Sequence, residues 1–150
     1  MKVFEYSKRL YHSIARFHIH VYKEYDCLQL TTDLTRTVQL IGVRWVSFTK
    51  VLVVMELYPL TLRDFLKKML SDGKGLQSDL RLNLALQCIG LLKVLYFNMK
   101  CIHNDLKCNN LFVKYDDRGQ PELVLADFGN ACNLKRGRGV FQDHARQARF

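Results

Sequence analysis

Prolines are scarce in this chain, two in 150 residues, and glycines number only eight. That excludes collagen-like and Pro/Gly-rich low-complexity classes. Low hydrophobicity, the usual mark of disorder, is also missing: 49% of residues are apolar and 25% charged. No uninterrupted apolar run exceeds Val51 to Met55, far short of the roughly 20 residues that span a bilayer. The first residues place Lys2 and Glu5 around two apolar positions, which leaves no signal-peptide core. The expectation is a soluble globular chain without a membrane partner, of a length that suits one domain with a core of its own.

Paired cysteines are lacking too. Cys27, Cys88, Cys101, Cys108 and Cys132 are odd in number and contain no Cys-x-x-Cys spacing. A disulfide framework favours an even count, and a zinc site favours short paired spacings. Reduced, mostly buried thiols in an intracellular, cytoplasmic protein are the expected state. His18 and His20 stand two apart, but nothing near them completes a metal-ligand set. They read as partly exposed histidines.

Charge of one sign is in excess: 23 Lys/Arg against 14 Asp/Glu, a net +9. A basic balance raises nucleic-acid binding as a class. The dense basic stretch is Lys135, Arg136 and Arg138, with only Phe141 and Phe150 as interleaved aromatics. Residues 100–134 are net acidic, four basic groups against five acidic. The charge therefore favours no nucleic-acid partner.

The chain has no internal repeats. Val38–Val43 and Thr49–Glu56 are short β-branched runs that predict a hairpin. Thr61-Leu-Arg-Asp64 has the form of a capping box, with Asp in place of Glu. Apolar residues at 62, 65, 66, 69 and 70 then predict an amphipathic helix ended by Ser71-Asp72-Gly73. A second helix is predicted from about Asp79 with Ser78 as N-cap. Its body, Leu80 to Phe97, is apolar almost all round, the pattern of a buried core helix. Lys100-Cys-Ile102 reads as a short strand. Leu111–Tyr115 and Glu122–Leu125 flank Asp116-Asp-Arg-Gly119, a hairpin turn. Strands, then helices, then a further hairpin make an α+β chain.

The chemistry-bearing residues are concentrated. Ile102-His103-Asn104-Asp105-Leu106-Lys107-Cys108-Asn109-Asn110 lies between the apolar helix and a strand. Asp127-Phe128-Gly129 follows the later hairpin, 22 residues after Asp105. In this order and setting the two segments resemble the protein kinase family: His103-x-Asp105-Leu-Lys107-x-x-Asn110 is similar to its catalytic loop, and Asp127-Phe128-Gly129 to its magnesium-binding motif. The resemblance implies a partial two-lobe kinase-like fold. Residues 1–58 would be a remnant of the small lobe and the hinge. Residues 59–150 would be the start of the large lobe, with catalytic loop, metal motif and a truncated activation segment.

The resemblance also implies roles. Phosphoryl transfer leaves the protein mainly positioning and charge stabilisation to do. Asp105 would accept or orient the substrate hydroxyl proton, and Lys107 would place a cation against the transferring phosphoryl group. Asn110 and Asp127 would hold Mg²⁺ between the phosphates of ATP. Gly129 would let the backbone turn, and Phe128 would pack near His103. Leu52–Tyr58 is similar to the strand entering the kinase hinge, with Met55 as gatekeeper and the backbones of Glu56 and Tyr58 at the adenine edge. The same apolar run also suits an ordinary buried strand. Phe112 would lie under the adenine. Met1-Lys2-Val3-Phe4 is similar to the family's lysine strand, which would put Lys2 on the α/β phosphates, with Glu24 the best candidate for its helix partner.

Three departures from the family pattern bear on activity. No glycine-rich phosphate loop precedes Lys2, and Gly137-Arg-Gly139 reads instead as part of a flexible basic loop. No Ala-Pro-Glu motif follows Gly129, so a fragment of a longer kinase is expected, with helix faces at 62–70 and 80–97 left for a partner or a second copy to cover. Asn104 stands where most members have Arg, and residues 126–150 contain no Ser, Thr or Tyr. An Arg there would read a phosphorylated segment through charge-assisted bonds. The expected function is phosphoryl transfer to protein Ser/Thr hydroxyls, since Lys107 resembles the Ser/Thr form of the loop. A non-catalytic kinase-like binding module is the alternative, and a basic nucleic-acid-binding protein a remote one.

Overall fold

The computed structural model describes residues 2–134, apart from 6, 8–12, 32, 33, 35 and 74. The basic stretch at 135–138 and the Gly137-Arg-Gly139 loop lie outside the described residues. Among the described residues, two three-stranded antiparallel sheets, one two-stranded sheet, three α-helices and a 3-10 turn make up the α+β architecture.

The first sheet holds β1 (Lys2–Glu5), β2 (Leu40–Ser47) and β3 (Lys50–Met55) in the order β1–β3–β2. β3 is central, so every second residue turns into the core: Val51 and Val53 are fully buried while Leu52 and Val54 are not. Lys2 pairs with Val53 across the sheet. The expected hairpin at 38–56 is present as β2 and β3, with irregular register at Leu40/Gly42 and at Trp45/Ser47.

Between β1 and β2 runs α1 (Ile14–Thr31). Its buried face is Phe17, Val21, Glu24, Cys27, Leu28 and Thr31, a stripe at three- and four-residue spacing. His18, expected to be partly exposed, donates from Nε2 to the Phe48 carbonyl at 2.8 Å and meets Trp45 edge-on.

Residues 36–38 then cross to the second sheet. The Leu125 N–H donates to the Arg36 carbonyl at 2.9 Å, and the Val38 N–H to the Leu125 carbonyl at 2.8 Å. That sheet orders β4 (Leu60–Thr61), β6 (Leu111–Tyr115) and β7 (Pro121–Leu125) as β4–β6–β7. The turn between β6 and β7 is built as its residues demand. Asp116 Oδ1 accepts from the N–H groups of Arg118 and Gln120 at 2.9 and 2.7 Å, and Gly119 takes a φ of 70°.

Helix α2 (Leu62–Ser71) starts at the expected cap: Thr61 Oγ1 accepts from the Asp64 N–H at 3.1 Å and donates to the Asp64 carboxylate at 2.6 Å. Helix α3 (Ser78–Phe97) differs from expectation at its start. Gln77 is the N-cap without a side-chain bond, and Ser78 already lies in the helix. A larger difference concerns burial. Only Leu84, Gln87, Leu91 and Leu95 of α3 are buried, while Leu82, Leu86, Ile89, Tyr96 and Phe97 are exposed. The helix is long and apolar enough to cross a membrane by length and composition, with 22% of its most apolar window buried. Continuous-run counting overlooks it because Arg81, Asn83, Gln87 and Lys93 interrupt the run.

Gln87 explains which face docks. Its Nε2 donates to the Pro121 carbonyl at 2.9 Å and its Oε1 accepts from the Leu123 N–H at 2.8 Å, so one amide satisfies the open edge of β7. The short β5 (Cys101–Ile102) pairs with β8 (Cys132–Asn133), on either side of the motif segments. The expectation of mostly buried thiols is met only in part: all five cysteines are free, Cys27 and Cys101 buried, Cys88 intermediate, Cys108 and Cys132 exposed.

Replacing Gln87 by Leu adds apolar surface yet orphans the Leu123 N–H and the Pro121 carbonyl. The expected outcome is a loss of about 1–3 kcal/mol in urea unfolding. A variant as stable as the parent would show that water satisfies the β7 edge equally well.

Candidate functional site

Three backbone segments converge on one charged cluster: β1 delivers Lys2, α1 delivers Glu24, and the turn after β7 delivers Asp127, while the loop after β5 carries Asp105 in a second cluster. The Lys2 ammonium donates to both oxygens of Glu24 at 2.8 Å and to Asp127 Oδ1 at 2.7 Å. Glu24 is fully buried, whereas Lys2 and Asp127 are each partly open to solvent. Burial works against the Lys2 cation, but Glu24 and the Asp127 hydrogen bond outweigh it, and its pKa lies above the ordinary lysine value. Burial likewise pulls Glu24 upward, opposed by the ammonium bonded through both its oxygens.

Asp127 reaches the cluster through a left-handed backbone, φ 64° and ψ 69°, rare for a residue with a side chain. Its neighbours hold that conformation in place. Phe128 is fully buried and meets the His103 ring edge-on with centroids 5.2 Å apart. His103 accepts at Nδ1 from the Asp105 N–H at 3.3 Å, so Nε2 carries the proton that bonds the Ala126 carbonyl at 2.9 Å. One buried imidazole thereby joins both motif segments.

Gly129 lies where a side chain would press on α1. A Cβ placed on it would sit 2.7 Å from His20 Cε1, 2.9 Å from His20 Nε2 and 3.1 Å from Glu24 Oε2. Helix α1 thus rests directly on the turn that presents Asp127. His20, read in the sequence as a partly exposed histidine, is half-buried against it. Burial and then the nearby Lys2 charge keep its imidazole below the usual range.

Among the described residues, the side-chain contacts of the Asp105 carboxylate are all on one oxygen. Oδ2 accepts from Lys107 Nζ at 2.7 Å, Asn110 Nδ2 at 3.3 Å and Asn130 Nδ2 at 3.5 Å. Led by the Lys107 bond, these contacts lower the Asp105 pKa below the usual carboxylate range. Asn110 is buried and its Nδ2 also donates to the Asp105 carbonyl at 2.9 Å. Asn104, at φ 60°, donates from Nδ2 to the Asn130 carbonyl at 3.2 Å. Asn130 was not singled out in the sequence. A residue one beyond the Asp127-Phe128-Gly129 motif carried no signal of its own.

The remaining candidates line the end of β3 and the face of β6. Met55 closes β3, and Glu56 follows with its N–H on the Gln39 carbonyl at 3.0 Å. Tyr58 is buried and donates from its hydroxyl to Glu56 Oε2 at 2.7 Å, and its pKa is raised by burial and then by that carboxylate. Its ring lies 5.9 Å from that of Phe112, tilted by 34°. The structure thus joins Lys2, Glu24 and Asp127 in one hydrogen-bonded set and Asp105, Lys107 and Asn110 in a second, with Tyr58 and Phe112 paired apart from both.

A family model described as Protein kinase domain matches residues 1–147. No curated protein matches the chain.

Gly129→Ala is expected to cost about 1–3 kcal/mol, because a packed contact must move. A His20→Ala change in the same chain should recover part of that loss in a double-mutant cycle read by urea unfolding. Strict additivity of the two would mean that α1 does not bear on the turn.

Proposed function

Because the chain belongs to the protein kinase domain family, we propose that it performs ATP-dependent phosphoryl transfer to Ser/Thr hydroxyls of protein substrates, with Mg²⁺ as cofactor. The observation that carries this reading is the Lys2 ammonium held between Glu24 and Asp127. An ammonium has three N–H donors, and here all three are committed. A phosphate arriving at Lys2 takes the donor now on Asp127, because Glu24 is bonded twice and buried. The same exchange frees Asp127 Oδ1 to ligate a cation.

The donor set suits magnesium. Asp127 contributes a partly exposed carboxylate. Asn110 commits Nδ2 to Asp105, so Oδ1 is the atom it has for a metal, and both are the hard oxygens Mg²⁺ prefers. When bound, the ion would neutralise charge on the transferring phosphates. Asp105 stays ionised and keeps Oδ1 for the substrate hydroxyl, which suits orientation of the nucleophile. Lys107, bonded to the same carboxylate, would place its cation against the transferring phosphoryl group. In this reading Met55, the backbones of Glu56 and Tyr58, and the Phe112 ring receive the adenine.

The Asn104–Asn130 bond supports regulation without phosphate at the turn. The neutral Asn104 amide bonds the Asn130 carbonyl and offers no charge for a phosphate to pair with. Catalytic rates are therefore expected not to depend on phosphorylation of residues 126–150, and a modified residue mapped there with a changed rate would contradict this.

Thermal-shift titration with Mg·ATP tests the centre itself. Ligand at a hundred times its Kd should add about 2.7 kcal/mol of stability, and Asp127→Ala should abolish the Mg²⁺-dependent part. Transfer of labelled phosphate to a Ser/Thr peptide should fall about 10²–10⁴-fold in Asp105→Asn. Binding that needs Asp127 without any transfer would instead identify a non-catalytic binding module. An absence of Mg·ATP binding would remove both readings.

A further inference from the structure

Two cysteines that the proposed chemistry does not use lie face to face inside the fold. Cys27 is on α1, three residues after Glu24, and Cys101 is on β5, two residues before His103. Each is 1% exposed, and their sulfurs are 3.8 Å apart although 74 residues separate them in sequence. We propose that Cys27 and Cys101 are a redox-responsive dithiol that closes to a disulfide in the presence of a hydroperoxide and ties α1 to the strand leading into the catalytic loop.

The geometry needs little adjustment. A disulfide places sulfurs about 2 Å apart with a wide spread of backbone separations, so the sulfurs must close by roughly the width of one bond. The two sulfurs share one S–H···S contact in which either can donate, and that contact with burial raises the Cys27 thiol well above its usual range. The contact is symmetric in geometry, so either sulfur can act as the nucleophile. With Cys101 attacking, its thiolate adds to one peroxide oxygen, the O–O bond breaks, and the alkoxide or hydroxide leaving group takes up a proton. Cys27 sulfur then attacks the resulting Cys101 sulfenic acid. The S–S bond forms, the S–O bond breaks, and water leaves with the Cys27 proton. Two electrons pass from the two sulfurs to the peroxide, and the thiols supply both protons.

The consequence is mechanical. Glu24 and Cys27 share one turn of α1, and that turn rests on Gly129 through His20 and Glu24. With the disulfide closed, α1 cannot leave β5 without unfolding, so the Lys2–Glu24 pair stays made. With it open, packing and the Lys2–Glu24 ion pair hold the helix. The other thiols offer no such tie: Cys108 and Cys132 are exposed and Cys88 is half-buried on α3.

The test uses the whole chain, purified reduced, treated with hydrogen peroxide at low excess and mapped by non-reducing peptide mass spectrometry. A linked Cys27–Cys101 peptide, reversed by dithiothreitol, is expected. It should accompany a rise in melting temperature of about 5–10 °C and slower amide exchange across α1. Cys101→Ser should remove both the linked peptide and the rise; the mapping of the unmutated chain stands even if that variant folds poorly. Oxidation confined to Cys108 and Cys132 overturns the proposal. A 27–101 link that forms only in denaturant, or that leaves the melting temperature unchanged, overturns it as well.

Discussion

One ammonium group organises this molecule. Lys2 sits at the edge strand of one sheet, yet its nitrogen is bonded to a helix carboxylate and to an aspartate beyond the last strand of the other sheet. Glu24 is fully buried; a carboxylate so placed is costly unless a cation meets it. The pair therefore couples the seating of α1 to the presence of β1. It also couples both to the left-handed backbone at Asp127, whose cost of order 1–3 kcal/mol must be met by surrounding packing. Phe128 against His103, and Gly129 against His20, supply that packing.

The second cluster is arranged on a different principle. Asp105, Lys107, Asn110, Asn104 and Asn130 form a chain of bonds through their side chains and the Asn130 carbonyl. Exposed ion pairs contribute little stability on their own. What they fix is geometry: one carboxylate oxygen is saturated, and the amide of Asn110 is turned by its bonds to Asp105. Buried Glu24 anchors the first cluster and the Asp105 cluster sets orientation, an arrangement that suits a centre where reactants must be placed accurately.

Much of this could be read from the chain, for reasons that differ by element. The hairpins, the Thr61 cap and the Asp116–Gly119 turn depend on neighbours in sequence, so local chemistry reveals them. The segments 103–110 and 127–129 were visible because their functional residues are closely spaced. Helix α1 was not announced by its pattern: Tyr22, Lys23, Glu24, Tyr25 and Asp26 mix polar and aromatic residues, and its buried stripe includes an acid. Long-range pairings were invisible for the same reason that they matter. Nothing near Gln87 reveals a strand edge 34 residues away, and nothing near Cys27 points to Cys101. The burial of α3 was overestimated because composition reports what a helix needs to cover, not whether the fold described by these residues covers it.

The short crossing at residues 36–38 has a consequence for placement. Its backbone is bonded on both sides of Leu125, two residues before Asp127. The chain that leads into the first sheet is thereby clamped to the strand from which Asp127 departs, so the sheet that carries Lys2 and the turn that carries its acid share one backbone anchor.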